Sequence, residues 1–408
     1  MTLIFTTRDD KKGIATLQTL KKHLSNHKLI RSKLPISNPR IFFRPENVEL
    51  TSLLSVRALS QRLIRSAVPR LDAILLNAGI GGFVAIKWSL AVWSIASDLV
   101  EAATWPTFKL SARGLITQPQ LIPSTADPEN GEPVLGEVLC ANVFGHYMLA
   151  HWLMPLLRAC PPSRPGRMIW LSSIETQIHH FNKDDIQALE SRNAYEHSKR
   201  MTDVLVLTST NEPATAKSLQ SFLDLTNTND RRLSNNPSPT EPTLHVAHPG
   251  ICATSILTLP WILRLAMILA FYIARLIGSP WHTVSAYIGA TAPVWLALAD
   301  ADEIAEREKA GPAKWGSAVT RLGRESVQRT DVPGWGLTGD GGEVVWWQIG
   351  RGWLGGWGRK RGAKDATRED VERFVEDGAL VWRELERLRR EWEEKIERFE
   401  DTEKKRSE

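Results

Sequence analysis

The chain has 408 residues, enough for one large α/β domain with appendages and for a core that needs neither disulfides nor metals. Lysine and arginine outnumber aspartate and glutamate by 51 to 46, and the net charge of +5 is too small to suggest a nucleic-acid-binding surface. The three cysteines are odd in number and widely spaced, which fits reduced thiols better than a disulfide framework.

The amino-terminal residues have the pattern of a β-strand that begins almost at the first residue. The opening MTLIFTTRDDKKG has no basic n-region, sustained apolar stretch or small-residue cleavage site, so we expect no signal peptide. A β-rich stretch at Leu3 to Thr6 is followed directly by a helix-favouring run from Lys11 to His23. We therefore expect the fold to begin within a sheet.

Strand-like and helical stretches alternate over the first two-thirds of the chain, which predicts an α/β fold with a Rossmann-like, doubly wound parallel sheet. Residues 1–328 form the predicted domain, with insertions at 81–132 and 211–243, the second a polar surface loop. The predicted strands are Leu3 to Thr6, Arg40 to Arg44, Ala73 to Asn77, Arg167 to Ser172 and Leu244 to His248.

The segment 255–277, SILTLPWILRLAMILAFYIARLI, is long and apolar enough to suggest membrane contact. Its residues Pro260, Arg264 and Arg275 favour a segment that lies in the membrane interface over one that crosses the bilayer. A wall around an apolar substrate is a second interpretation, compatible with the first, and a true span is a third.

The carboxyl-terminal part has two predicted regions. From Trp315 the composition shifts to glycine and tryptophan, and we predict no regular secondary structure there, with 329–366 as a separate irregular region. Thr367, with Asp370 three positions on, predicts the start of an amphipathic helix over 367–408. Its narrow apolar stripe predicts packing on the parent domain rather than a coiled coil, and consists of Val381, Leu385, Leu388, Trp392, Ile396 and Phe399.

The most specific motif is AYEHSK, which places Tyr195 and Lys199 four residues apart on one helix face. A nearby ammonium group favours the phenolate and lowers the pKa of a tyrosine, so such a pair can move a proton to and from a substrate oxygen. Tyr195 is the predicted proton donor and Lys199 the residue that adjusts its pKa. Taken alone, this spacing is most often a solvated helix face.

Further polar and glycine motifs stand at the ends of predicted strands, where open α/β sheets bind ligands. Ser173 follows a buried strand and is placed to donate to a carbonyl oxygen, while Asn142 begins or interrupts a helix and either supports a proton relay or caps the helix. Glycine at a strand end allows close approach of a ligand, and proline makes the turn rigid. These turns supply Asn77, Ala78 and Gly79 in LLNAG, and Pro249, Gly250 and Thr254 in HPGICAT.

In this order the motifs resemble those of the short-chain dehydrogenase/reductase family, over roughly Met1 to Gln328. The segments TTRDDKKG, ANVFGHY and ARLIGSPWHTVSAYIGATAPVWLAL resemble the members that reduce sterol 3-ketones. The resemblance implies NADPH-dependent reduction of the 3-ketone of 4-methyl sterol intermediates during ergosterol biosynthesis. It also implies a place on the cytosolic face of the endoplasmic reticulum membrane, or on lipid droplets, beside the enzymes of sterol C4-demethylation.

The resemblance also implies a role for each matched residue. Tyr195 would donate the proton, Lys199 would bind the ribose and lower the tyrosine's pKa, Ser173 would orient the carbonyl and Asn142 would support the relay. The strand-end turns of LLNAG and HPGICAT would lie along the cofactor.

The adenosine end of the cofactor has its own matches. Arg8 stands where the family reads the adenosine 2'-phosphate, which a planar guanidinium suits. Glu49 stands where the family usually has aspartate beside the adenine, and Leu50 follows it.

The family's first strand and its TGxxxGxG loop have no counterpart in this sequence. That loop and the following helix bind the pyrophosphate, and each lost charge-assisted hydrogen bond would weaken binding by roughly 1.5–3 kcal/mol. The sheet would also lose its central strand. We expect either a start codon assigned too late, which the retained downstream motifs favour, or a pseudoenzyme that serves as a scaffold. A reductase of other lipid carbonyls is a further alternative.

Overall fold

A computed structural model describes residues 1–26, 41–121, 132–210, 214–224, 240–254, 256–257, 259–341 and 358–407. Its strands are β1 Thr2–Thr7, β2 Phe42–Asn47, β3 Ala73–Leu76, β4 Phe83–Ile86, β5 Lys109–Ser111, β6 Arg167–Leu171, β7 Thr243–His248, β8 Lys314–Val319 and β9 Glu325–Thr330. Its α-helices are α1 Asp10–Asn26, α2 Leu53–Arg65, α3 Trp88–Ser97, α4 Leu99–Thr104, α5 Glu137–Leu139, α6 Gly145–Trp152, α7 Met154–Leu157, α8 Ala194–Leu207, α9 Ala216–Leu223, α10 Trp261–Ile277, α11 Ala286–Gly289, α12 Thr291–Leu298, α13 Ala301–Arg307 and α14 Arg368–Ser407.

The principal sheet contains five strands in the order β3, β6, β7, β8 and β9. The first four run parallel, and β9 returns antiparallel to β8. The strands β1 and β2 form a separate parallel pair, and β4 and β5 form an antiparallel pair. The predicted parallel α/β sheet is therefore confirmed, and the carboxyl ends of β3, β6 and β7 meet at one edge.

Both faces of the sheet are covered, as the sequence of β6 shows most clearly. All five residues of RMIWL are buried. Met168 and Trp170 pack in the large cluster with residues of α2, α6, α8 and α14, whereas Ile169 and Leu171 pack on the opposite face with α12. Because successive side chains of a strand point to opposite faces, a continuous apolar run is what a strand between two helical layers requires.

The stretch from Trp315 differs from its prediction, because β8 and β9 occupy its first part. All six residues of β8, KWGSAV, are buried. A Cβ at Gly316 would lie 2.5 Å from His248 Nε2 and 2.5 Å from Trp281 Cζ3. The glycine therefore permits close packing within a strand, which the local composition does not reveal.

Several predictions touch residues outside the described ranges. These residues are Arg40, 122–131 of the first insertion, 211–213 and 225–239 of the second, and 342–357 of the region predicted to be irregular. The helix α9 lies within the second insertion and buries Phe222. In the apolar segment 255–277, residues 255 and 258 are likewise not described, and α10 occupies the remainder from Trp261. Within the described ranges, no helix has the length and apolar character to cross a membrane.

The long helix α14 packs on the domain through the stripe seen in the sequence. It begins after Thr367, whose hydroxyl accepts from the Asp370 N–H at 3.2 Å while Asp370 Oδ2 accepts from the Thr367 N–H at 3.0 Å. Trp382 Nε1 donates to the carbonyl of Leu205 in α8 at 2.9 Å. The buried members of the stripe are Val381, Leu385, Leu388, Trp392 and Ile396.

Candidate active site

A cavity of about 880 Å³ lies at the carboxyl edge of the parallel strands. Its polar end is built by the residues that follow β1, β3, β6 and β7 and by the first turn of α8, whereas α3, α4 and α10 supply apolar walls. The cavity brings together ten of the residues predicted from the sequence, which are Arg8, Asn77, Ala78, Gly79, Ser173, Tyr195, Lys199, Pro249, Gly250 and Thr254. Asn142, Glu49 and Leu50 do not line it.

Lys199 is held between α8 and the end of β6. Its Nζ donates to the carbonyl of Leu171 at 2.7 Å and lies 5.8 Å from the centre of the Tyr195 ring. Burial lowers the pKa of Lys199 to about 8, with the nearby Asp203 carboxylate opposing the shift and Lys314 adding to it. The side chain therefore remains mostly charged near neutral pH, and its position is fixed by a backbone carbonyl.

The Tyr195 phenol behaves differently from the prediction. Burial raises its pKa, the carboxylates of Glu175 and Glu196 raise it further, and a hydrogen bond with Ser173 opposes them. The predicted lowering by Lys199 is not seen. Lys199 Nζ donates instead to the Leu171 carbonyl. A phenol with a raised pKa stays protonated at neutral pH, so the proton is present, but the phenol is a weaker acid than the sequence predicted.

A charged cluster that the sequence analysis missed surrounds this phenol. Lys109, from β5 in the first insertion, pairs with Glu175 and lies 3.5 Å from Glu196 Oε1. Its Nζ also lies 5.5 Å from the centre of the Tyr195 ring and 4.6 Å from that of Phe83. Burial raises the pKa of Glu196 to about 7, while Lys109 opposes the shift. The two glutamates stand next to predicted site residues in the sequence, but nothing there indicated Lys109.

A second buried pair lies beneath the site. Asp203, one turn after Lys199 on α8, pairs with Lys314 of β8 at 2.7 Å, and both side chains are almost fully buried. Lys314 Nζ also donates to the carbonyl of Ser173 at 2.6 Å. The pair therefore ties the catalytic helix and the Ser173 turn to β8. The position of Asp203 on the Lys199 face was the only sequence signal for this contact.

Asn142 holds the turn after β3 in place. It lies in a π-helical turn, Cys140–Phe144, between α5 and α6. Its Oδ1 accepts from the Ile80 N–H at 2.7 Å, and its Nδ2 donates to the Ile80 carbonyl and to Ser198 Oγ, both at 2.9 Å. A Cβ at Gly79 would lie 2.6 Å from Asn142 Oδ1, so this approach requires glycine. The side chain is fully engaged in a clamp and does not bond to Lys199.

The predicted adenosine-end residues are only partly brought to the cavity. Arg8 is exposed and lines the cavity, with its Nε 3.8 Å from Glu49 Oε2. Glu49 Oε1 accepts from the N–H and hydroxyl of Thr51, at 3.1 and 3.0 Å. Leu50 is buried in the core. Arg8 is therefore available to a phosphate, whereas Glu49 supports its own turn.

The donor set and the bare backbone of the strand ends fit a nicotinamide dinucleotide. Gly79 and Gly250 line the cavity. Close packing requires glycine at position 250, since at φ 71° a Cβ there would lie 2.4 Å from the Trp281 carbonyl. The Lys199 ammonium and Tyr195 phenol can hold ribose hydroxyls, and the exposed Arg8 guanidinium can hold a phosphate. The residues present therefore fit the ribose and 2'-phosphate ends of NADPH.

A serine, a tyrosine and a lysine meet at the carboxyl edge of the parallel sheet, as the resemblance to the short-chain dehydrogenases/reductases implied. The chain is 43% identical over 407 residues to the 3-keto-steroid reductase erg27 of Aspergillus fumigatus, covering 98% of this chain and 88% of that protein. It is 34% identical to the 3-keto-steroid reductase ERG27 of Gibberella zeae, covering 96% and 87%. The chain belongs to the 3-keto-steroid reductase family.

Two other comparisons add little to this assignment. No protein-family model matches the sequence. The solved structure of NADPH-bound carbonyl reductase from chicken fatty liver aligns with a TM-score of 0.35 and 16% identity, over 79% of this chain and 86% of that one. A TM-score this low does not establish a shared fold, so the assignment rests on the fungal relatives.

Proposed function

We propose that the protein reduces the 3-ketone of 4-methyl sterol intermediates to the 3β-hydroxyl, with NADPH as the reductant, in ergosterol biosynthesis. The observation that carries this proposal is the meeting of Ser173 and Tyr195 at the polar end of a cavity whose other walls are apolar. A cavity of about 880 Å³ is within the usual size of small-molecule sites. The substrate class is inferred from the names of the fungal relatives, which are 3-keto-steroid reductases.

The chain's own residues would orient the ketone and provide the proton. Ser173 Oγ accepts from the Glu175 N–H at 3.2 Å, and this hydrogen bond fixes the position of the serine hydroxyl. The hydroxyl proton of Ser173 remains free to be donated to Tyr195 or to a ketone oxygen that lies between Ser173 and Tyr195. Tyr195 would transfer its proton to that oxygen, so that the carbonyl becomes a hydroxyl. NADPH, when bound, supplies the hydride that adds to C3. Lys199 would hold the ribose through its ammonium group, which the Leu171 carbonyl positions. Ser173, whose hydrogen bond lowers the pKa of the phenol, would stabilise the phenolate that remains on Tyr195.

We further propose that an additional strand and glycine-rich turn between β1 and β3 complete the cofactor site and strengthen NADPH binding. Among the described strands, β1 pairs only with β2, and β3 pairs only with β6. Arg8 and Asn77, which follow β1 and β3, line the same cavity, so an intervening parallel strand would end beside both. The test is translation of the genomic DNA upstream of Met1 in all frames. A glycine-rich strand-turn-helix there supports the proposal, and its absence counts against it.

We place the protein on the cytosolic face of the endoplasmic reticulum membrane or on lipid droplets, beside the sterol C4-demethylation enzymes. The exposed apolar residues of α10, including Trp261 and Leu269, support attachment to such surfaces. Fractionation of cells that express a tagged chain tests the location, and co-purification tests the partners. Recovery only in the soluble fraction, without those enzymes, would contradict this placement.

The reductase itself is tested with purified protein, NADPH and a 3-keto sterol. We expect the 3β-hydroxysterol as product, and Tyr195→Phe should lower turnover by roughly 10²–10⁴-fold because the proton donor is lost. Calorimetry should show that this variant still binds NADPH. Wild-type protein that binds NADPH but reduces no ketone, or a Tyr195→Phe variant with full turnover, would contradict the proposal.

A further inference from the structure

The helix α3 presents a second exposed apolar surface beside that of α10. In α3, Trp93 is 72% exposed and Val92 is 66% exposed. In α10, Trp261 is 72% exposed and Leu265 is 57% exposed. Side chains this large and apolar are seldom left exposed over two whole helices without a partner surface. The surface of α3 was not foreseen, because its sequence lies within an insertion.

Other residues of the same two helices line the cavity. Trp88, Ile95 and Leu263 line the cavity and are 53%, 47% and 37% exposed. A residue that is exposed and also lines a cavity lies at its rim, so the rim between these helices is apolar. Residues of α4 and α10 contact each other, and Trp105, which follows α4, shares a buried cluster with Phe271 of α10. Since α4 also packs against α3, it links the two sides of the mouth.

The charges on these elements are of one sign. Segments 83–97 and 255–277 contain no aspartate or glutamate, and their only charged residues are Lys87, Arg264 and Arg275. Lys87 and Arg264 are exposed. Exposed tryptophan and leucine with only basic residues between them is the pattern of segments that lie in the headgroup region of an anionic bilayer.

We propose that α3 and α10 together lie in the surface of an anionic lipid bilayer, with the cavity mouth opening toward the acyl chains. A lipid ketone would then pass from the membrane to Ser173 and Tyr195 without crossing water. A protein partner bound over the same two helices would cover the mouth, whereas a bilayer holds the substrate at it. The identity of the ketone rests on the proposed function, but the docking surface does not.

Vesicle flotation of the full chain tests the docking surface. Trp93→Glu and Leu265→Glu change exposed residues that do not line the cavity, one on each helix. We expect each to lower the fraction bound to phosphatidylcholine vesicles containing phosphatidylserine by at least about tenfold. Leu322→Glu, at a residue 95% exposed between β8 and β9, is the matched control and should float like the wild type. Wild-type binding should weaken when phosphatidylserine is omitted.

A second readout separates this inference from the proposed function. Trp93→Glu should reduce a small water-soluble ketone at the wild-type rate but reduce a vesicle-embedded 3-keto sterol at least about tenfold more slowly. A wild-type chain that floats but reduces neither ketone would refute the proposed function and leave the docking surface standing. Flotation of Trp93→Glu at the wild-type level, or loss of flotation in Leu322→Glu as well, would overturn the inference.

Discussion

Replacement of Asn142 by alanine separates two roles for this residue, a clamp on the turn after β3 and a member of a proton relay. The substitution removes three hydrogen bonds, two to the backbone of Ile80 and one to Ser198 Oγ. At about 1 kcal/mol each, their loss should lower the free energy of unfolding by about 3 kcal/mol, and by more if the Ile80 N–H stays unpaired. Because Ile80 lines the cavity, KM for the ketone should also rise.

Equilibrium unfolding in urea, together with steady-state kinetics, measures both effects. Asn193→Ala is the matched control, because Asn193 precedes α8 but its side chain makes no capping hydrogen bond. We expect the control to change the free energy of unfolding by less than about 0.5 kcal/mol. A loss below about 1 kcal/mol for Asn142→Ala, combined with a large fall in kcat, would refute the clamp and favour the relay.

Three other predictions follow from burial and charge. Glu175→Gln should lower the pKa of Tyr195, because that carboxylate raises the pKa of the phenol, and an ultraviolet titration compared with Tyr195→Phe should show the shift; Glu190→Gln at an exposed site should leave the pKa of the phenol unchanged. Burial lowers the pKa of His146 to about 4, so between pH 6.5 and pH 4 the unfolded chain binds a proton at this residue that the folded chain does not. The free energy of unfolding should therefore drop by up to about 3 kcal/mol as the pH falls through this range. Urea titrations that show no such drop would contradict this prediction. Leu385→Ala, at a fully buried position of α14, should cost about 2–5 kcal/mol in the same titrations, and a negligible change would mean that α14 does not stabilise the domain.

Much of the parallel sheet could be predicted because its strands are short apolar runs that end at turn residues. Both β6 and β7 differ from their predicted bounds by a single residue at one end. The site residues could be predicted for a related reason, since parallel strands deliver Asn77, Ser173 and Pro249 to one edge of the sheet. The prediction thus depended on the motifs, on their order along the chain and on their places at the ends of predicted strands.

Other features depend on contacts between distant parts of the chain. Lys109 reaches Glu175 only because β4 and β5 fold the first insertion back over the site. The raised pKa of Tyr195 comes from burial and from this cluster, neither of which the spacing of Tyr195 and Lys199 reveals. The strand β8 could not be predicted, because Gly316 packs closely against Trp281 and His248 and the sequence does not reveal these contacts.

The most direct test of the proposed reaction follows one hydrogen atom. NADPH that carries deuterium at the transferred position is mixed with a 3-keto sterol and either wild-type protein or Tyr195→Phe, and the sterol product is analysed by mass spectrometry. The account predicts a 3β-hydroxysterol with deuterium at C3 from the wild type and almost none from the variant, although both bind the cofactor. Equal deuterium transfer by the variant, or a wild-type product without deuterium at C3, would contradict it.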